Sequence, residues 1–148
     1  MQQSRRFLLI GGVATAIASA LHGGIVLGGP AWYRFFGAGE RMARLAARGS
    51  VYPTIVTLVI AAILGLWALY AFSGAGVIRR LPFLRSVLGL VAAIFLARGL
   101  FGIPAVLIVD DPYMRELRGR MVFMVVSSLV CVGLGLCYGL GAARVRKT

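Results

Sequence analysis

The sequence predicts an all-α membrane protein: a four-transmembrane-helix bundle with a short amphipathic surface helix in its first loop. Of the 148 residues, 60% are hydrophobic and only 14% are charged, whereas a soluble domain carries about 25% charged residues. The apolar residues fall into four blocks, each long enough to cross the roughly 30 Å hydrocarbon core of a bilayer. No linker divides the chain, so residues 1–148 are predicted to form one integral membrane domain.

The first span, TM1, is predicted for residues 7–28. Gly28-Gly29-Pro30 is predicted to end it, because proline cannot continue the hydrogen-bond ladder of a helix. The basic start and Ala18-Ser19-Ala20 also fit a secretory signal peptide. The apolar run continues past Ala20, which favours a retained helix.

A small residue stands at every fourth position of TM1. Such a stripe lets a neighbouring helix approach closely, and we expect packing inside the chain rather than dimerisation. The stripe consists of Gly12, Ala16, Ala20, Gly24 and Gly28.

The first loop is aromatic and then amphipathic. Trp32 and Tyr33 belong to an aromatic cluster typical of the membrane–water interface. From Glu40 to Arg48 the pattern ERMARLAAR separates apolar from basic positions, which predicts a short helix lying on the membrane surface.

Three further spans follow: TM2 over residues 51–72, TM3 over 86–109 and TM4 over 121–142. Pro104 should kink TM3, because it removes a helical hydrogen bond. TM4 carries Cys131 and Cys137, which point apart on a helix at a separation of about 9 Å, too far for a disulfide. Thiol redox chemistry and a zinc site are therefore poorly supported.

The chain has a net charge of +12, and most of its cationic residues lie at the edges of the apolar blocks. Cations there anchor helix ends at the headgroups, so nucleic-acid binding is not expected. The N-terminus, second loop and tail carry eight cations, and the first and third loops carry seven. Arg5 and Arg6 precede the first helix, which usually dominates orientation. We therefore expect a bacterial inner (cell) membrane location with both termini cytoplasmic.

Arg98 lies in the interior of TM3, where a charge costs at least about 2.5–3.5 kcal/mol. In one interpretation it extends to the interface or pairs with Asp110, Asp111 or Glu40. In the other it binds the anionic group of a ligand.

Polar residues of the other spans lie at a similar depth. With a rise of about 1.5 Å per residue, His22 and Arg98 differ in depth by about one turn. The aromatic first loop would cap a cavity at this depth. The candidate ligand-binding residues are Arg98, His22, Glu40, Trp32, Tyr33, Ser127 and Ser128.

His22 has plainer interpretations as well. A membrane histidine commonly hydrogen-bonds a neighbouring helix, and no second soft ligand for haem or a metal lies at its depth. No catalytic residue is predicted, because His22 is the only candidate base and the acids are in loops.

Four spans in about 150 residues, cytoplasmic termini and a conspicuous first loop resemble the architecture of the DoxX-like small bacterial membrane proteins. The resemblance implies an accessory or small-molecule-binding role, sometimes beside quinone chemistry. The chain is also similar in shape to vitamin-K-reductase-like four-helix enzymes, but it lacks their paired cysteines.

The expected function is to bind or move a small amphiphilic or anionic molecule, lipid-like or quinone-like, in a pocket inside the bundle. The alternative is an accessory or assembly subunit of a larger membrane complex, and a membrane enzyme is the third. The expected partners are membrane lipids, with a homo-oligomer or a larger membrane complex as further possibilities.

Overall fold

A computed structural model describes residues 2–143 and 145. Six α-helices form in this part of the chain: α1 (Gln2–Phe35), α2 (Glu40–Ala47), α3 (Tyr52–Gly74), α4 (Leu84–Ile108), α5 (Pro112–Arg118) and α6 (Met121–Ala143). Four of them, α1, α3, α4 and α6, are long and apolar enough to cross a membrane. The predicted all-α, four-helix membrane fold is confirmed.

The predicted end of the first span at Gly28-Gly29-Pro30 coincides with a break in α1, and a second helical segment follows that break. Gly29 breaks the helical geometry with φ 64° and ψ −152°, and the helix then resumes as far as Phe35. Only glycine adopts such a backbone readily, and Pro30 starts the resumed segment, where its missing N–H is tolerated. The break re-aims the last turns of α1, and Tyr33 becomes only 1% exposed.

The surface helix is present as α2, which has Glu40 in its first turn and buries Ala43. The third loop contains a further short helix, α5, which the sequence pattern did not indicate. Asp111 caps it by accepting a hydrogen bond from the Tyr113 N–H at 2.9 Å, and Pro112 opens its first turn. Helix α4 continues through Pro104.

The bundle is built from two tightly packed pairs, α1 with α3 and α4 with α6. Between α4 and α6 the backbones themselves approach: a methyl group on Gly99 would lie 2.9 Å from the Ser128 carbonyl oxygen. Gly135 meets the Leu96 backbone in the same way, at 3.0 Å. Helices α1 and α4 occupy opposite corners, and no Cα atom of one lies within 8 Å of a Cα atom of the other.

The small-residue stripe of α1 packs only in part. Gly12 lies against Ala71 and Phe72 of α3, as expected for packing within the chain. Ala20 is exposed, and Gly24 faces Trp32 of its own helix. Among these three members of the stripe, only Gly12 packs against another helix.

The two ends of the bundle are defined by hydrogen bonds between distant segments. At one end, Arg5 Nε donates to the Ala75 carbonyl oxygen at 3.1 Å, which joins the start of α1 to the second loop. At the other, Arg120 donates to the carbonyl oxygens of Arg34 and Phe35, which joins the third loop to the first. We call these ends the N-terminal face and the lid face.

Most of the large apolar core lies toward the N-terminal face, where Leu8, Leu88 and Tyr138 are fully buried. The Tyr138 hydroxyl is within 3.1 Å of both Thr15 Oγ1 and the Trp67 carbonyl oxygen. This contact ties α6 to α1 and α3. Toward the lid face, the centre of the bundle is not filled.

Candidate ligand-binding site

A cavity of about 430 Å³ lies beneath the lid face. All four spanning helices line it, because the opposite helices α1 and α4 do not meet there. The first and third loops close it from above. Its walls are His22, Ile25, Tyr33, Phe36, Gly37, Ala38, Met42, Val56, Thr57, Ile60, Arg98, Tyr113, Leu117, Phe123 and Met124.

Arg98 supplies the only charge among the cavity-lining residues that the structure describes. Its side chain folds along α4 toward the lid face, and a methyl group on Gly102 would overlap its Nη1 atom. Side chains on a helix usually point toward its N-terminus. The missing side chain of Gly102 therefore creates the room that the guanidinium occupies.

All four carboxylates of the protein have other hydrogen-bond partners. Glu40 accepts two hydrogen bonds from Arg34, at 2.7 and 3.0 Å, and Asp110 pairs with Arg115 at 3.2 Å. Asp111 caps α5. The remaining acid, Glu116, accepts from the Glu40 N–H at 3.0 Å.

The interpretation in which Arg98 pairs with Asp110, Asp111 or Glu40 is therefore not realised. Within residues 2–143 and 145, its guanidinium has no hydrogen-bond or ion-pair partner.

His22 faces the cavity from α1, the helix diagonal to that of Arg98. Its Nδ1 atom lies 2.8 Å from the Ala18 carbonyl oxygen. A carbonyl oxygen only accepts hydrogen bonds, so Nδ1 carries the proton. When the ring is neutral, Nε2 is the acceptor that remains for a ligand.

Tyr33 and Thr57 form a buried polar pair on the wall shared by α1 and α3. Thr57 Oγ1 donates to the Tyr33 hydroxyl oxygen at 3.3 Å. The break at Gly29 turns Tyr33 into this position. The hydroxyl groups of this pair belong to the polar part of the cavity wall.

The lid is held shut by bonds between the first and third loops. The Tyr113 hydroxyl donates to the Gly37 carbonyl oxygen at 2.9 Å, and Gly37 has a φ of 77°, which favours glycine. Burial raises the pKa of the Tyr113 hydroxyl, while the positive charge of Arg98 lowers it. The hydroxyl therefore remains a protonated donor at neutral pH.

The other predicted site residues lie outside the cavity lining. Trp32 packs over Gly28 and against Phe36 and is 43% exposed. Glu40 lies on the lid, where its hydrogen bond with Arg34 lowers the pKa of its carboxyl.

The two serines of α6 also lie outside the lining but differ from each other. Ser127 donates to the Met124 carbonyl oxygen of its own helix at 3.1 Å. Ser128 is 3% exposed, and its hydroxyl has no hydrogen-bond partner. A methyl group placed on Gly102 would lie 3.4 Å from Ser128 Oγ. The same methyl group would overlap the Arg98 guanidinium, so both side chains are neighbours of Gly102.

Sequence reasoning missed Tyr113 and Gly102 as site residues. Gly102 stands one turn after Arg98, and that spacing was the available signal. Tyr113 is the one aromatic residue in the acidic third loop, but its place above the cavity depends on how that loop folds. No group of three His, Cys, Asp or Glu side chains among the described residues is arranged to hold a metal ion.

These features define a multi-pass membrane protein with a cavity inside a four-helix bundle. Compared with known proteins, the chain matches no protein-family model, no curated protein and no solved structure. The resemblance to DoxX-like proteins stays a prediction.

Proposed function

We propose that this protein binds a small amphiphilic molecule with an anionic head, lipid-like or quinone-like, in the lid-face cavity. The observation that carries the proposal is Arg98. This arginine lies within a membrane span, lines a cavity and has no partner among the described residues, while every carboxylate is bonded elsewhere.

The energetics favour a ligand anion at Arg98. A guanidinium at the centre of a span costs at least about 2.5–3.5 kcal/mol, and a bound anion would offset that cost. The planar guanidinium of an arginine can donate two parallel hydrogen bonds to a carboxylate or a phosphate.

The remaining lining suits the rest of such a molecule. Small-molecule sites combine apolar walls with a few polar groups and have volumes of about 300–1,000 Å³. Here His22 offers an acceptor and Tyr33 a hydroxyl, and the other walls are mainly apolar. A head of a few polar atoms with an adjoining ring or chain fits this arrangement.

The ligand is expected to enter from the lipid between α3 and α4. These helices touch in the half near the N-terminal face, where the rings of Trp67 and Phe95 are 5.3 Å apart. In the other half, Ile60 and Arg98 line the cavity and are both exposed. An opening on that side favours a ligand that partitions into the membrane.

We place the protein in a bacterial inner membrane with both termini in the cytoplasm. Arg5 and Arg6 before the first span support this orientation. The cavity would then lie in the outer half of the bilayer.

The test is mass spectrometry of whatever co-purifies with the protein in lipid nanodiscs, in wild type and in Arg98→Ala. We expect the amount of bound molecule to be at least about tenfold lower in Arg98→Ala than in wild type, since a charged hydrogen bond contributes about 1.5–3 kcal/mol. Arg98→Lys should retain part of the binding, because lysine keeps the charge without the fork. Arg85→Ala, which removes an exposed arginine from the same helix, is the control.

Two results would contradict the proposal. One is equal retention of the bound molecule in Arg98→Ala and wild type. The other is a stability loss in Arg98→Ala that Glu40→Gln or Asp110→Asn restores, because that rescue would reveal a structural ion pair.

A role as an accessory subunit of a larger complex is the second candidate, and one observation favours it. Gly89 and Gly133 lie on the outside of the bundle, where an added methyl group would meet no atom within 4 Å. Small residues on an outer face allow another helix to approach closely. Co-purification of a larger membrane complex that Gly133→Leu abolishes would support this role.

A further inference from the structure

A second cavity, of about 600 Å³, opens at the N-terminal face, at the opposite end of the bundle from Arg98. The start of α1, the turn after α3 and the start of α4 form its walls. Its polar and turn residues include Gln2, Ser4, Arg5, Gly76 and Arg80. The cavity shares no residue with the lid-face site.

Both arginines of this cavity are held by the fold. Arg5 Nε donates to the Ala75 carbonyl oxygen, which uses one of the five N–H donors of the guanidinium. Arg80 lies between two anchored neighbours, because Ser73 Oγ donates to the Arg79 carbonyl oxygen at 3.0 Å and accepts from the Leu81 N–H at 2.9 Å. The backbone that carries Arg80 is therefore fixed by a buried serine.

The charged side chains that line this cavity are positive. Among the described residues, the lining includes two guanidinium groups and no carboxylate side chain, and all four acidic residues of the protein belong to the first and third loops. Helix α4 begins at Leu84 on the cavity wall, and its N-cap, Phe83, makes no side-chain capping bond. The free N–H groups of that first turn add positive potential.

Exposed apolar side chains lie at the same end of the bundle. Phe83 is 83% exposed and has a φ of 52°, in the left-handed region that bulky residues seldom adopt. Ile78, on the cavity wall, is 41% exposed. Exposed apolar groups beside arginines are typical of a segment at the level of lipid headgroups.

We propose that this cavity binds the phosphate group of a phosphate ester, with the headgroup of an anionic phospholipid as the source. Arg5 and Arg80 provide positive charge, and the guanidinium of Arg5 has N–H donors besides the one bonded to Ala75 that a phosphate can accept. The flanking Phe83 and Ile78 would lie against the acyl chains. This site is independent of the function proposed for the lid-face cavity.

The test compares lipid retention by native mass spectrometry after release from nanodiscs of phosphatidylglycerol mixed with phosphatidylcholine. We expect the wild-type protein to retain phosphatidylglycerol preferentially, and Arg5→Gln/Arg80→Gln to lose the preference by about fivefold per charge removed. Arg44→Gln/Arg48→Gln removes the same charge from the lid face and is the matched control. An equal loss in both pairs, or no loss in either, would overturn the proposal.

A second arm distinguishes the sources of the phosphate. Inorganic phosphate is titrated against the protein in pure phosphatidylcholine nanodiscs, with chloride at equal ionic strength as the reference, and thermal unfolding is measured. Stabilisation by phosphate that depends on Arg5 and Arg80 would assign the site to a soluble phosphate. Retention of phosphatidylglycerol without this stabilisation would assign it to the lipid, and absence of both effects would exclude a phosphate site.

The double variant Arg5→Gln/Arg80→Gln loses the hydrogen bond from Arg5 to Ala75, and this loss could prevent folding. The single variant Arg80→Gln is therefore tested as well. It leaves that bond in place, and its far-UV circular dichroism is compared with wild type. A folded Arg80→Gln protein with unchanged phosphatidylglycerol preference would contradict the proposal.

Discussion

Arg98 and Ser128 are neighbouring polar groups on two different helices that both lack a hydrogen-bond partner within the described chain. Ser128 is buried, and buried polar groups in folded proteins nearly always have partners, because an unsatisfied one costs about 1–3 kcal/mol. Arg98 is exposed and lines the cavity. Both groups lie against Gly102, whose missing side chain leaves the guanidinium room at the cavity.

Gly102→Ala tests that geometry without removing any polar group. The added methyl group would overlap Arg98 Nη1, so the guanidinium must move and ligand retention should fall by about tenfold, as for loss of a charged hydrogen bond. Retention is measured by mass spectrometry and fold by thermal unfolding. Gly89→Ala, in the same helix with open space around it, is the control, and equal retention in the two variants would show that the position of Arg98 is unimportant.

At the scale of the elements, the pairs α1–α3 and α4–α6 are the units that hold the bundle together. Lipid provides little hydrophobic drive for helix association, so packing of small residues carries much of the stability. Helix α6 contains the motif Gly135-x-x-x-Gly139, and both of its glycines face α4: Gly135 meets Leu96, and Gly139 lies near Ala92. The motif therefore serves packing within the chain.

Gly99→Ala should destabilise the protein by about 1–3 kcal/mol, the usual cost of overpacking. The new methyl group would lie 2.9 Å from backbone atoms of Ser128 and Val132, and a backbone cannot change rotamer to relieve the contact. Thermal unfolding in detergent or nanodiscs measures the effect. Gly133→Ala, in α6 with no atom nearby, should be neutral, and equal unfolding temperatures for the two variants would show that α4 and α6 are not this close.

At the scale of the whole molecule, the two ends differ in construction. The lid face carries two short helices, all four acidic residues and a mainly apolar cavity that contains Arg98. The N-terminal face carries short basic segments and a cationic cavity. A four-span chain must place these two ends in the two leaflets, so one membrane protein presents two chemically distinct surfaces.

Cysteine labelling with a membrane-impermeant reagent tests this arrangement. In a background where Cys131 and Cys137 are replaced by alanine, Arg48→Cys should label from one side of inverted and right-side-out vesicles, and Arg79→Cys from the other. Both positions are exposed. Labelling of both from the same side would contradict the four-span bundle, whereas exchange of the two sides would reverse only the proposed orientation.

The sequence by itself determined the spans, the surface helix and the presence of a cation inside the membrane. These are local properties: a run of apolar residues long enough for the bilayer, the period of ERMARLAAR, and the position of Arg98 within its apolar block. The predicted starts and ends of TM2, TM3 and TM4 lie close to those of α3, α4 and α6 for that reason.

The tertiary structure decided which groups meet. Nothing in the local pattern showed that α1 resumes after Gly29, that the third loop places Tyr113 over the cavity, or that each carboxylate has a partner other than Arg98. The physical reason is that these relations depend on the paths of two loops and on how closely α4 and α6 approach. Both are set by contacts between residues far apart in the chain, and a single residue's chemistry does not contain them.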